Sequence, residues 1–147
     1  MSTEETLKIK WQFDEELYAQ LSLHEDKRSF PYVDSVGKVS IGIGRNLDDR
    51  GLSPDEIDYL YRNDIELVVS DLNNHLPWWR SMSENRQRVI LDMCFNLGIT
   101  RLLGFHTTLR LMSEGKYKEA ARQMLNSKWR KQVKGRALRL SRMMEQG

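Results

Sequence analysis

The sequence contains little cysteine and histidine, which limits the chemistry that it can carry. Cys94 is the only cysteine among 147 residues, so an internal disulfide is excluded. Because Cys94 lies among apolar residues, we expect a buried thiol and not a nucleophile. The 3 histidines are scattered without the spacing of metal ligands, so the sequence predicts neither a metal site nor a cofactor.

The sequence also lacks a long apolar run and a large excess of charge. No apolar stretch is long enough to cross a membrane, and the first residues lack the apolar core of a signal peptide. We therefore expect a protein that is made in the cytoplasm and stays there unless something else releases it. The formal net charge of +2 is typical of ordinary domains. The length fits one domain, 1–147, which we expect to be monomeric.

A helix is predicted at the start of the chain. Phe13, Leu17 and Leu21 recur every four residues, which predicts a helix over about Phe13–Lys27 with an apolar stripe. Glu25 is the next position on that stripe, so its carboxyl is expected near buried ground, where loss of water disfavours the charged form. A carboxyl kept protonated can act as a general acid. Alternatively, the helix simply ends there and Glu25 is solvated.

A β-hairpin is predicted in the next segment. Tyr32–Asp34 lead into it, Ser35–Lys38 form the turn, and Val39–Gly44 form the return strand. In the return strand the period of two places Ser40 on one face together with two glycines. A face almost bare of side chains lets a ligand approach the backbone, and Ser40 is its one functional group. The alternative is that the glycines only allow tight bending.

Two acids flank this hairpin in different surroundings. Asp34 lies beside a polar turn and is expected to stay ionised, whereas Glu25 is expected to be protonated. Glycoside hydrolysis needs such a pair, because one carboxyl protonates the leaving oxygen while the other activates water or stabilises the transition state.

The order Glu25, eight residues, Asp34, five residues, Ser40, then Ile-Gly-Ile-Gly resembles the signature of the phage-type lysozymes. The resemblance implies that Glu25 is the general acid, that Asp34 positions or activates water and that Ser40 orients this water. It also implies the inverting route, with the carboxyl groups about 6.5–9.5 Å apart. Two positions depart from the family: Ser40 replaces a threonine, and Arg45 stands where a histidine is common. If Arg45 touches Glu25, it opposes protonation of that carboxyl.

The resemblance implies an α+β, mainly helical, lysozyme-like fold. A small lobe of helix and β-hairpin is expected over 13–52, after a polar lead-in, and a linking helix and larger helical lobe over 53–147. Ser53, Pro54 and Glu56 are typical of a helix start. The paired residues Trp78 and Trp79 are interpreted as packing between helices. Further helices are predicted over Ser83–Leu97, Phe105–Ser113, Lys116–Asn126 and Arg136–Met144.

The same resemblance implies residues that contact the sugar chain. Arg136 is expected to reach the catalytic Glu25. For Phe95 the alternative is a plain core position, and for Asn96 a surface position on a helix. The expected substrate-binding residues are Arg45, Asn46, Phe95, Asn96, Thr108, Gln123 and Arg136.

The segment from Lys128 to Arg142 carries seven basic residues and no acid. One interpretation is attraction to an anionic bacterial outer surface or membrane. Nucleic-acid binding is another, although no DNA-binding motif is present and an acidic stretch over Asp48–Asp71 argues against a uniformly basic surface. A solvated helix face is the third.

The leading functional hypothesis is therefore an endolysin that hydrolyses the β-1,4 bond between N-acetylmuramic acid and N-acetylglucosamine in bacterial peptidoglycan and lyses the host cell. Release from the host cytoplasm to the periplasmic wall is expected to need a separate permeabilising protein. A non-catalytic wall-binding protein on the same fold is the alternative. Transglycosylation is disfavoured, because Asp34 and Ser40 both suit the holding of a water.

Overall fold

A computed structural model describes residues 14–147. The predicted lead-in and Phe13 lie outside these residues. The described chain is mainly helical, with one small antiparallel sheet, as expected. Its elements are α1 (Asp14–Glu25), β1 (Arg28–Val33), β2 (Val39–Gly42), β3 (Arg45–Asn46), α2 (Pro54–His75), a 3₁₀ helix (Pro77–Ser81), α3 (Glu84–Leu97), α4 (Ile99–Leu103), α5 (His106–Ser113), α6 (Tyr117–Leu125), α7 (Lys128–Val133) and α8 (Gly135–Gln146).

The chain forms two compact units, Met1–Ile57 and Asp58–Gly147. Helix α2 begins in the first unit and continues into the second, as expected of a linking helix. A reciprocal capping box starts α2: the Ser53 amide donates to Glu56 Oε1 at 2.8 Å, and the Glu56 amide donates to Ser53 Oγ at 3.3 Å. The sequence signal for this helix start is confirmed. That the two units act as a single domain stays a prediction.

The sheet of the first unit has the order β1-β2-β3, with both pairs antiparallel. The predicted β1–β2 hairpin is confirmed. The predicted return strand to Gly44 is too long, because β2 ends at Gly42 and the chain reverses through Ile43 and Gly44. Positive φ angles of 69° at Gly42 and 75° at Gly44 suit glycine and permit this reversal. A third strand, Arg45–Asn46, therefore forms, which the sequence did not predict.

Helix α1 does not bury its apolar stripe. Leu17 is 40% exposed and Leu21 is 39% exposed, so the expectation that Glu25 points toward buried ground is wrong. The physical reason lies in the core: among the described residues, every buried apolar side chain lies at Val68 or beyond. The described residues of the first unit therefore offer no buried apolar cluster that the stripe could enter.

The apolar core lies among the helices of the second unit. Trp79 is 1% exposed and Trp78 packs against the same core, which confirms their interpretation as packing residues. Helix α3 begins where its predicted range begins, and there Ser83 caps it by accepting a hydrogen bond from the Arg86 amide. Cys94 is also buried, as expected, and burial followed by the charge of Asp71 raises its thiol pKa to about 11. The sequence did not predict α4.

None of the helices within residues 14–147 combines the length and the apolar character needed to cross a bilayer.

Candidate active site

The candidate general acid, Glu25, is the last residue of α1 and its side chain is exposed. The helix ends there because the next residue, Asp26, adopts a left-handed φ of 65°. Aspartate tolerates this conformation better than most residues. The reversal turns the chain directly into β1, so Glu25 lies at the junction between the helix and the sheet.

The carboxylate of Glu25 lies against the glycine turn that follows β2. A Cβ built on Gly44 would lie 2.9 Å from Glu25 Oε2 and 3.2 Å from its Cδ. A side chain at this position would therefore displace the carboxylate. Gly44 serves two needs at once, since its φ of 75° also favours glycine. The glycine-rich segment makes room for a carboxylate of the protein itself.

Asp34 organises the β1–β2 turn through one of its carboxylate oxygens. Oδ1 accepts hydrogen bonds from the amides of Val36 at 3.0 Å and Lys38 at 2.8 Å. The Asp34 amide donates to the Lys38 carbonyl at 2.8 Å, which closes the hairpin. Oδ2 accepts no hydrogen bond from the described residues. The carboxylate is thus held in one orientation with one oxygen still available to solvent or substrate.

Ser40 and Asn46 lie on neighbouring strands and are brought together by the sheet register. Ser40 pairs with Tyr32 on β1 and with Asn46 on β3, and residues directly opposite in an antiparallel pair share a face. Ser40 is only 2% exposed. The side chain of Asn46 is bound to the next turn, where Nδ2 donates to Asp49 Oδ2 and Oδ1 accepts from the Asp49 amide, both at 3.0 Å.

The three candidate catalytic residues are arranged in order along the sheet. Glu25 lies at the end formed by the β2–β3 turn, where Arg28 pairs with Gly42. Asp34 lies beyond the other end, where Val33 pairs with Val39. Ser40 occupies the strand between them. The pairing of β1 with β2 has a register irregularity between Arg28 and Tyr32, a feature that commonly bends a strand.

Arg45 is bound within the first unit by a residue that the sequence did not suggest. Its Nη1 donates to Glu56 Oε1 at 2.7 Å and to the Gly51 carbonyl at 3.0 Å, while Nη2 lies 2.6 Å from Glu56 Oε2. This is a bidentate pair. The guanidinium of Arg45, together with the Ser53 amide, lowers the pKa of Glu56 to about 2. The suggestion that Arg45 contacts Glu25 is therefore corrected: Arg45 is the partner of Glu56.

In the second unit, Arg136 also has an unpredicted partner. Its Nε donates to Asp92 Oδ1 at 2.7 Å, and both side chains are partly exposed. This ion pair joins the start of α8 to α3. The predicted contact of Arg136 with Glu25 concerns residues of different units and stays a prediction.

Asn96 is held by a tryptophan of α7. The indole Nε1 of Trp129, a residue 2% exposed, donates to Asn96 Oδ1 at 3.0 Å. Phe105 meets the Trp129 ring edge to face, with the ring centroids 6.3 Å apart. Asp92 and Asn96 lie four residues apart on one face of α3, so this face receives donors from both α7 and α8.

The remaining predicted sugar contacts differ in exposure. Phe95 is 45% exposed and its ring lies 6.5 Å from that of Tyr61, so the alternative of a plain core position is excluded. Gln123 is exposed on α6. Thr108 is only 4% exposed, which leaves little of its side chain for a ligand. These positions stay predictions as substrate contacts.

No group of three or more His, Cys, Asp or Glu side chains within residues 14–147 is arranged to hold a metal ion.

Sequence reasoning missed Glu56 and Asp92 as partners of the two arginines. The sequence did single out Glu56 as part of a helix cap. A carboxylate in that position can accept hydrogen bonds from further donors, so a pair with Arg45 could have been considered. Asp92 gave no comparable signal, since it pairs with a residue 44 positions away.

Comparison with known proteins gives one family match. A sequence model of the phage lysozyme family matches residues 23–145. This range includes Glu25, Asp34 and Ser40 and extends into α8.

Three proteins of similar sequence illustrate the relationship. The pre-baseplate central spike protein Gp5 of Enterobacteria phage T4 is 24% identical over 152 residues, covering 98% of this chain and 26% of that protein. Two Dictyostelium discoideum proteins are named "Probable T4-type lysozyme 1" and "Probable T4-type lysozyme 2". The first is 26% identical over 99 residues, covering 65% of this chain and 58% of its own length. The second is 26% identical over 156 residues, covering 86% of this chain and 92% of its own length.

Proposed function

Because the chain belongs to the phage lysozyme family, we propose that it is a muramidase of bacterial peptidoglycan. Its reaction is hydrolysis of the β-1,4 bond between N-acetylmuramic acid and N-acetylglucosamine. The observation that carries the proposal is the contact of Glu25 with Gly44, which holds an exposed carboxyl against the glycine turn of the family motif. Two relatives carry the name "Probable T4-type lysozyme", which supports the same reaction.

In the proposed reaction Glu25 is the general acid and gives its proton to the oxygen of the leaving sugar. Asp34 accepts a proton from water, whose oxygen bonds to the anomeric carbon as the glycosidic bond breaks. Oδ2 of Asp34 suits this role, because it accepts no hydrogen bond from the described residues while Oδ1 fixes the carboxylate to the turn. Ser40 orients the water. A single displacement of this kind inverts the configuration at the anomeric carbon.

Seven residues are proposed to contact the sugar chain. Phe95 and Gln123 suit the role best, because their side chains are exposed. Four other candidates already form a hydrogen bond with a polar side chain of the protein: Arg45, Asn46, Asn96 and Arg136. We propose that these residues also hold their partner side chains in place. Thr108 is also proposed to contact the sugar chain, although its side chain is almost fully buried.

The biological role proposed is that of an endolysin that acts as a monomer and causes host cell lysis. The protein is made in the host cytoplasm and reaches the periplasmic wall after a separate protein has permeabilised the membrane. The phage lysozyme family match supports the wall-cleaving part of this role, whereas the monomeric state and the route to the wall are proposed from the sequence alone.

The test is loss of turbidity of permeabilised Gram-negative cells, followed by mass analysis of the released muropeptides. We expect clearing by the wild type, muropeptides with hydrated reducing ends, and no clearing by Glu25→Gln. Glu16→Gln removes the same charge from the same helix and is expected to remain active. Full activity of Glu25→Gln excludes Glu25 as the acid, and anhydro ends would show transglycosylation.

A non-catalytic wall-binding protein on the same fold is the second candidate. Two observations favour it: Ser40 is almost fully buried, and Arg45, which stands where the family often has histidine, is engaged by Glu56. This candidate predicts that the protein pellets with purified walls without releasing new reducing ends.

A further inference from the structure

A depression among the described residues lies beside α7 and the start of α8. Its volume is about 720 Å³, which is within the range of small-ligand pockets. None of the predicted catalytic or sugar-binding residues lines it. Its cationic members are Lys128, Arg130, Lys131 and Lys134, and its apolar members include Leu125 and Leu138.

The four cations have no counter-charge within this part of the protein. No acidic residue lines the depression, and none of the four forms an ion pair with any residue that the structure describes. Two of the four are close on the helix: Lys128 and Lys131 are three residues apart on α7, and Lys134 directly follows the end of that helix. Such spacing places like charges side by side and destabilises the helix. A bound anion relieves that repulsion.

The chemistry of the cations favours a phosphate group. A guanidinium presents a planar fork that binds phosphate oxygens in pairs, and lysine ammonium groups add compact point charges. All four cationic residues are exposed, so an anion can reach them without opening the core.

The apolar members indicate what carries the phosphate. Leu138 is 37% exposed and lines the same depression as the cations, together with the half-buried Leu125. A free phosphate ion has no apolar part that could pack against an exposed leucine. A lipid headgroup has apolar chains next to its phosphate, so it matches both kinds of lining residue. We propose that this depression binds the phosphate of an anionic lipid headgroup, independently of wall hydrolysis.

The proposal is tested by sedimentation of the full chain with vesicles. We expect binding to phosphatidylcholine vesicles that contain phosphatidylglycerol, and little binding to phosphatidylcholine alone. The double variant Lys131→Gln/Lys134→Gln should bind anionic vesicles roughly tenfold to thirtyfold more weakly, as expected for two basic residues near an anionic surface. The control Arg62→Gln/Lys118→Gln removes the same charge from exposed positions outside the depression and should bind like the wild type.

Leu138→Gln separates a lipid site from other anion sites. It should weaken vesicle binding several-fold while the thermal melt shows an intact fold. Equal loss in both double variants would mean that binding follows net charge, as for a solvated helix face, and would overturn the proposal. It is also overturned if Leu138→Gln has no effect while inorganic phosphate or duplex DNA releases the protein at matched ionic strength.

Discussion

Glu25 and Gly44 are in close contact: a Cβ on Gly44 would lie 2.9 Å from Glu25 Oε2. The position of the candidate acid therefore depends on the absence of a side chain 19 residues further along the chain. The glycine-rich motif therefore does more than allow the backbone to bend, because its last glycine leaves room for a carboxyl group.

Replacing Gly44 by alanine should reduce activity more than stability. The positive φ of 75° costs alanine about 1–2 kcal/mol, and the new methyl must displace the carboxylate of Glu25. Because misplacement of a catalytic group by about 1 Å can cost about 100-fold in rate, we expect a fall in kcat of at least tenfold. Turbidity clearing and chemical denaturation measure the two effects.

Gly37→Ala is the matched control for this change. Gly37 has a φ of 85°, yet a Cβ there meets nothing within 4 Å. It should therefore show a similar stability loss and nearly normal activity. Equal activity losses in the two variants would show that backbone strain alone accounts for the effect of Gly44→Ala.

Asp34 allows its turn-forming role to be separated from its proposed catalytic role. Asp34→Asn keeps an oxygen that can accept from the amides of Val36 and Lys38, whereas Asp34→Ala loses both hydrogen bonds and about 1–3 kcal/mol of stability. If the carboxylate activates water, both variants should lose activity by about 100-fold or more. Denaturation midpoints and release of reducing ends are measured in parallel. Normal activity of Asp34→Asn would limit Asp34 to the turn.

The local parts of this fold could be predicted because their signals lie within a few residues. The capping box of Ser53 and Glu56 and the Ser83 cap are examples of such signals. β3 was missed because a two-residue strand has no periodicity to detect, and its formation depends on the conformations of two glycines. The exposure of Glu25 depends on where the apolar core forms. The apolar stripe on α1 does not specify the position of that core.

The sequence suggested residues for the candidate site, whose roles stay predictions, but not the side chains that bind its two arginines. Glu25, Asp34 and Ser40 were found from motif spacing, and all three lie on or beside the sheet. The partners of Arg45 and Arg136 depend on chain reversals that bring together residues 11 and 44 positions apart. No local pattern specifies such pairs.

The pair of Arg45 and Glu56 should make stability depend on pH in acid. The pKa of Glu56 is lowered from 4.5 to about 2 in the folded protein. The unfolded state therefore takes up this proton first as the pH falls, so the stabilisation is fully present above about 4.5 and is lost toward 2. Glu56→Gln should be less stable than the wild type near neutral pH, and the difference should shrink over this window.

Urea denaturation at a series of pH values measures this difference. Glu66→Gln is the control, because Glu66 is exposed on the same helix and forms no ion pair with a residue that the structure describes. It should track the wild type across the same window. A difference between Glu56→Gln and wild type that stays constant down to the lowest pH would contradict the assigned pair.

Asn96 is the position at which a structural and a binding role can best be separated. Asn96→Leu leaves the buried indole N–H of Trp129 without its acceptor, which should cost about 1–3 kcal/mol. Asn96→Asp keeps an acceptor oxygen and should retain most of the stability, while Asn63→Leu, an exposed position on α2, controls for the leucine. Denaturation followed by tryptophan fluorescence ranks the three variants.

If the amide of Asn96 also contacts the sugar chain, Asn96→Asp should stay folded but show a higher KM for walls. If its KM is unchanged, Asn96 acts only by holding Trp129.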